Sequence, residues 1–133
     1  TPSRGEGQCL PAIEASLCGL PVIATNHSGH TMFLKDNEQE RNSYLVNIDK
    51  LSKVAPGAMH VNYWDGQVFP ELTIEKFLSD FGKAMRTVYE NYSEAQSRNE
   101  RLKELLKLRH SMSAASGRMK TRLDEIWKSV RKQ

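Results

Sequence analysis

Two carboxylates, Glu6 and Glu14, frame the stretch Gly7-Gln8-Cys9-Leu10-Pro11-Ala12-Ile13. Gly7 permits a backbone turn that other residues resist. Cys9 and Leu10 then bring free N–H groups to the start of a helix. Those groups and the helix dipole favour an anion, and a diphosphate fits such a site. Glu6 falls on the loop in front of the helix. Glu14 falls about one turn into it, and helical side chains lean toward the N-terminus. The spacing therefore predicts two carboxylates flanking one anion-binding helix end. Carboxylates accept from adjacent hydroxyl donors, such as those of a sugar. Taken singly, each acid is better explained as a surface or helix-dipole residue.

A second group follows at His27, Ser28, Gly29 and His30. His27 and His30 have the spacing of two metal ligands, but no further ligand lies nearby in sequence, so no metal is expected. His27, Ser28 and Gly29 are candidates for a ligand-facing loop, and a plain surface turn is the competing reading. The two cysteines are Cys9 and Cys18. On one helix they stand roughly 13 Å apart, beyond the ~7 Å that a disulfide spans. Two free thiols point to a reducing compartment, hence a cytoplasmic location. Cys18 is expected to be buried. Cys9 is expected to pack, with a reactive thiol favoured by the nearby helix start as the alternative.

The elements that must hold these residues can be read from periodicity. Leu10, Ile13, Leu17 and Leu20 recur at helical spacing over residues 9–19, with Pro11 in the first turn and Gly19 placed to end the helix. Pro21 to Thr25 reads as a short buried strand, and residues 26–30 as a loop at its carboxyl end, where open α/β sheets bind ligands. Lys35 to Asn42 is polar and loop-like, and Tyr44 to Ile48 is a second strand. Pro56-Gly57 marks a turn, and Met59 to Trp64 reads as extended. Ile74, Phe77, Leu78, Phe81, Met85, Val88 and Tyr92 form one helical stripe. Ser93 with Gln96 matches a capping box for a next helix, whose stripe is Leu102, Leu105, Leu106 and Leu108. After a break at Ser111 to Ser113, a last helix carries Met119, Leu123, Ile126, Trp127 and Val130 on one face, expected mainly to pack in a core.

The 133 residues carry a net charge of +3, unevenly spread. Residues 1–93 hold 8 Lys/Arg and 11 Asp/Glu; residues 94–133 hold 11 and 5. The basic tail suits a peripheral contact with an anionic membrane surface, or simply a solvated helical face. It lacks aromatic interleaving and any nucleic-acid signature, so no nucleic-acid partner is expected. No apolar run approaches the ~20 residues of a membrane span. The chain has no initiating Met and reaches its motif within six residues, so it reads as part of a longer protein.

The stretch Glu6-Gly7-Gln8-Cys9-Leu10-Pro11-Ala12-Ile13-Glu14-Ala15, continued by Gly19-Leu20-Pro21-Val22-Ile23-Ala24, resembles the E-x7-E motif of retaining glycosyltransferases of the "glycosyl transferases group 1" family. The resemblance is strong over residues 1–34 and weaker through Tyr44 to Val46 and the Met85 to Glu90 helix. It implies an α/β fold, namely part of the C-terminal Rossmann-like domain of a GT-B glycosyltransferase with a helical C-terminal tail. Residues 1–93 are then the distal part of the donor-binding domain and residues 94–133 the C-terminal helices. The implied reaction moves a hexose from a nucleotide diphosphate sugar, with retention, to a glycan, lipid or small-molecule acceptor. It needs no cofactor and no metal. Glu6 is the implied catalytic residue beside the reacting carbon, Glu14 the ribose ligand, and Gly7, Gln8, Cys9 and Leu10 the surface under sugar and diphosphate. Gln8 replaces the family's usual aromatic and Cys9 its second glycine. Met32 stands where the family often has an acid, so that role is not carried over. The family's diphosphate-binding Arg and Lys, and its N-terminal domain, precede this motif, so the chain alone is expected to be inactive. The competing reading is a non-catalytic nucleotide-sugar-binding or scaffold domain of the same fold.

Overall fold

The computed structural model describes residues 1–57 and 65–131. The extended stretch expected over Met59 to Trp64 lies outside the described residues. The chain is a mixed α/β structure. Helix α1 (Leu10–Leu17) leads into strand β1 (Ile23–Thr25), followed by a 3-10 turn (Gly29–Met32) and β2 (Tyr44–Val46). Gly19, at φ +90°, turns the chain out of α1 toward β1. β1 and β2 pair in parallel, Ala24 opposite Leu45. β3 (Leu51–Lys53) and β4 (Val68–Pro70) form a separate antiparallel pair, with Ser52 opposite Phe69. Three helical segments run on from there: α2 (Ile74–Lys76), a π-helical stretch (Phe77–Phe81) and α3 (Gly82–Glu90). Then come α4 (Tyr92–His110) and α5 (Met112–Val130).

The core lies between α1, β1, the segment Phe33-Leu34 and α4. Cys9, Ala12, Ile13, Val22, Ala24, Phe33, Leu34, Leu102 and Leu106 form one buried cluster, with Leu45 and Leu105 packed against it. This corrects the expected α1 stripe. Leu10, Leu17 and Leu20 are exposed, and of that stripe only Ile13 is buried. The inward face of α1 is made of small residues because α4 docks on it through a polar pair. Ser16 Oγ donates to Asn99 Oδ1 (2.8 Å), and Asn99 Nδ2 donates to the Ser16 carbonyl (3.0 Å). Both side chains are fully buried, and bulk on that face would separate the helices.

Of the two cysteines, Cys9 takes the packing role and Cys18 departs from the expected burial. Cys9 is buried and Cys18 is exposed. A thiol reagent at neutral pH is therefore expected to modify Cys18 rapidly and Cys9 only as the fold opens. Fast reaction of both thiols in the folded chain would contradict this packing.

The helical stripe from Ile74 to Tyr92 also departs from expectation. Phe81 alone of that stripe is buried; Ile74, Leu78, Met85 and Tyr92 are exposed. The π-helical stretch inserts an extra residue per turn and breaks the 3.6-residue repeat. It brings the Phe77 and Phe81 rings into a stack with centroids 5.3 Å apart. The capping box does not form. Asn91 ends α3 with its N–H on the Thr87 carbonyl, and α4 starts at once at Tyr92, which places Ser93 inside the first turn. Ser111 does cap α5, accepting from the Ala114 N–H.

The face of α5 bearing Met119, Leu123, Ile126, Trp127 and Val130 is exposed, not core. α5 packs on the end of α4, and no residue of α5 is buried. The Arg131 guanidinium sits 4.7 Å over the Trp127 ring. Among the described residues, no helix is long and apolar enough to cross a membrane.

One cation ties α4 to the parallel pair. Arg98 donates to Asp36 Oδ1 (2.9 Å), to the Ser43 carbonyl (3.0 Å) and to Glu94 Oε1 (3.1 Å). Its guanidinium also lies 4.2 Å over the Tyr44 ring. Burial pushes the Tyr44 phenol above its ordinary value, against the opposing pull of Arg98.

Candidate functional site

The segment preceding the motif runs alongside β1. The Thr25 N–H donates to the Thr1 carbonyl (3.3 Å), and Thr25 Oγ1 donates to the Ser3 carbonyl (2.5 Å). This delivers Glu6 and Gly7 to the carboxyl end of β1, the position at which α/β sheets bind ligands. There the loop after β1 grips the loop before α1. Ser28 Oγ accepts from the Glu6 N–H (2.6 Å) and donates to the Glu6 carbonyl (2.7 Å). The Gly29 N–H also donates to the Glu6 carbonyl (3.0 Å).

Gly29 is at this position because nothing larger fits. A Cβ there would lie 1.8 Å from the Gly7 carbonyl oxygen and 2.8 Å from that of Glu6. Among the described residues, two non-glycine residues take positive-φ backbone conformations, and both are in this latch: Cys9 (φ 52°) and Ser28 (φ 76°). Each such residue stores of order 1–3 kcal/mol of strain, and such residues cluster at functional sites. Cys9 occupies the N-cap of α1 with no side-chain cap bond, and Pro11 lies in the first turn. The thiol points into the core.

A cavity of about 370 Å³ opens beside this latch. Its walls are Arg4 to Gly7 on one side, His27 and Ser28 on another, and Gln67, Val68 and Phe69 on the third. Glu6, Gly7, His27 and Ser28 are thus brought together. Gln8, Cys9, Leu10 and Glu14 do not line this cavity. Glu14 is exposed on α1, and Leu10 is exposed at its first position. Gln8 turns toward the end of α4, where its Nε2 lies 3.3 Å from His110 Nδ1. His110 in turn packs edge-on against Phe33, with centroids 5.7 Å apart.

His30 is separate from the cavity. It is fully buried, and its Nε2 lies 2.6 Å from the Thr25 carbonyl. That contact requires the proton on Nε2 and leaves Nδ1 buried without a partner. Its role is to pin the 3-10 turn to β1. Among the described residues, no group of three or more His, Cys, Asp or Glu could hold a metal ion.

The β3–β4 wall was not foreseen from the sequence. Each of its strands is three residues long, too short for a periodicity to show in the sequence.

A family model described as Family 4 Glycosyltransferase in conflict systems matches residues 1–119. The chain belongs to that family. No curated protein and no solved structure matches it. Membership of the family 4 glycosyltransferases carries glycosyl transfer as the general chemistry, with an activated sugar donor and an acceptor as its substrates. The match includes α1, both strand pairs, α4 and the first turns of α5. In this family 4 chain, the cavity at the end of β1 is the candidate functional site.

Proposed function

We propose that this chain is the donor-binding portion of a retaining hexosyltransferase of the GT-B fold, using a nucleotide diphosphate sugar. Residues 1–93 form the distal part of a Rossmann-like donor domain and residues 94–133 its C-terminal helices. The observation carrying this reading is the Ser28–Gly29 latch, which holds Glu6 at the edge of a cavity beyond the carboxyl end of β1. The bonds fix the Glu6 backbone, which limits the reach of its carboxylate to this cavity, as recognition of a sugar close to its reacting carbon requires. Glu6 is the proposed catalytic residue. Glu14 on α1 is the proposed ribose ligand, Gly7 to Leu10 the proposed surface for sugar and diphosphate, and His27, Ser28 and Gly29 the loop facing them. The leaving diphosphate is stabilised by N–H groups and cations. No metal ion takes part.

Titration with UDP-glucose and GDP-mannose, followed by amide NMR, tests the donor reading. At least one donor is expected to shift residues 6–14 and 26–30. Glu6→Gln should weaken that donor about tenfold, since a hydrogen bond to a charged group contributes about 1.5–3 kcal/mol. Binding of the nucleotide alone should not weaken. A chain in which neither donor moves these residues does not bind donor as proposed. With an acceptor and the complete enzyme, an α-linked donor should give an α-linked product; an inverted anomer would rule out retention.

A further inference from the structure

We infer that Arg4 is the anion-binding residue of the donor cavity, held in place by β4, and that it takes the diphosphate of the nucleotide sugar. This rests on the donor-site reading above and adds to it a cation within this chain. Arg4 lines the cavity together with Glu6, Gly7 and Ser28. Its Nε donates to the Pro70 carbonyl at 2.7 Å. Among the described residues, no carboxylate pairs with it, and its two terminal nitrogens have no partner. A guanidinium anchored through Nε keeps its terminal N–H donors free and fixed in orientation. That geometry suits two oxygens of a phosphate, and an anchored head loses less rotational freedom on binding.

The neighbouring residues maintain the anchor. A Cβ on Gly5 would approach the Phe69 ring to 3.2 Å, so glycine there lets the ring close against the backbone beside Arg4. Phe69 pairs with Ser52, and the Val54 N–H donates to the Gln67 carbonyl (2.9 Å), which makes β4 a braced wall. A second cavity of about 160 Å³, lined by Arg4, Gly5, Val54 and Phe69, adjoins the first.

Glu6 shares the cavity, and its charge opposes an anion near it. The ligand that suits both groups has phosphate at one end and hydroxyls at the other: phosphate against Arg4, hydroxyls against Glu6. A nucleoside diphosphate sugar has that polarity. Inorganic pyrophosphate has only the first half and a free hexose only the second.

Calorimetric titration of the full 133-residue chain with pyrophosphate, UDP, UDP-glucose and GDP-mannose tests the assignment. Arg4→Gln should weaken pyrophosphate, UDP and the bound donor by similar factors of about tenfold or more. Glu6→Gln should weaken only the donor. Arg4→Lys, which keeps the charge but loses the Nε anchor and the fork, should recover part of the loss. Thermal unfolding of each variant separates a lost contact from a lost fold; if Arg4→Gln unfolds, Arg4→Lys and the salt dependence of pyrophosphate binding supply the reading. Unchanged pyrophosphate and donor affinities in folded Arg4→Gln overturn the Arg4 assignment and leave the donor site standing. Pyrophosphate binding that depends on Arg4, with no donor bound by the wild type, keeps the anion site and removes the donor reading. No binding of any probe removes both.

Discussion

Gly29→Ala is expected to abolish donor binding while leaving most of the chain folded. The added methyl would stand 1.8 Å from the Gly7 carbonyl oxygen, a backbone atom that no rotamer change can move aside. The loop before α1 must therefore retreat from the loop after β1. Its retreat breaks the Gly29 N–H bond to the Glu6 carbonyl and the paired bonds between Ser28 and Glu6. Overpacking of this kind costs about 1–3 kcal/mol in stability. The larger effect is on geometry, because the retreat carries Glu6 and Gly7 away from the cavity wall they form with His27 and Ser28. Gly117→Ala is the control: nothing lies within 4 Å of the added atom, and Gly117 is inside α5. It should stabilise by up to about 1 kcal/mol through helix propensity and leave binding alone. If Gly29→Ala binds donor like the wild type, the latch does not position the site.

Asn99→Leu is expected to lower stability by about 2 kcal/mol in urea unfolding, although Leu is the more apolar residue. Asn99 satisfies the Ser16 hydroxyl and carbonyl at once, and both side chains are fully buried. Leucine removes both partners and leaves the hydroxyl unpaired, and a buried polar group without a partner costs about 1–3 kcal/mol. It also puts a branched chain against a helix face made of Ala12 and Ser16. Ser16→Ala together with Asn99→Leu should recover part of the loss, since the pair then has no orphaned hydroxyl. A double variant that loses the full sum of the two single effects would show that the pair is not coupled.

The motif could be read from the sequence because its information is local. The Gly19 turn, the short strand after it and the Glu6–Gly7 loop are each specified by a few adjacent residues. Cys9 shows why a glycine is usual at its place: the backbone there is left-handed, which glycine adopts without penalty. The direction in which α1 faces could not be read locally. Periodicity selected Leu10 and Leu17 as the buried face, but Asn99, 83 residues beyond Ser16, turns the small-residue face inward. The π-helical stretch hid the exposure of Ile74, Leu78 and Met85 in the same way, since a shifted repeat is indistinguishable from a longer apolar stripe. The wall carrying Phe69 depends on the pairing of two three-residue strands, each too short to recognise alone. Arg4 could be assigned a role only once Pro70 was seen beside it.

The long span of the Ser16–Asn99 pair also has a consequence for the order of events during synthesis. The motif lies at the start of the chain, but its helix is oriented by a residue 83 positions later, and Gln8 meets His110 across 102. Closing loops of that length carries an entropic penalty that only the finished contacts offset. A nascent chain that has emerged as far as β4 therefore contains every residue of the motif without the helix that orients α1 and closes the core over it. A product truncated before α4 is expected to be a target for proteolysis even though the latch residues are all present.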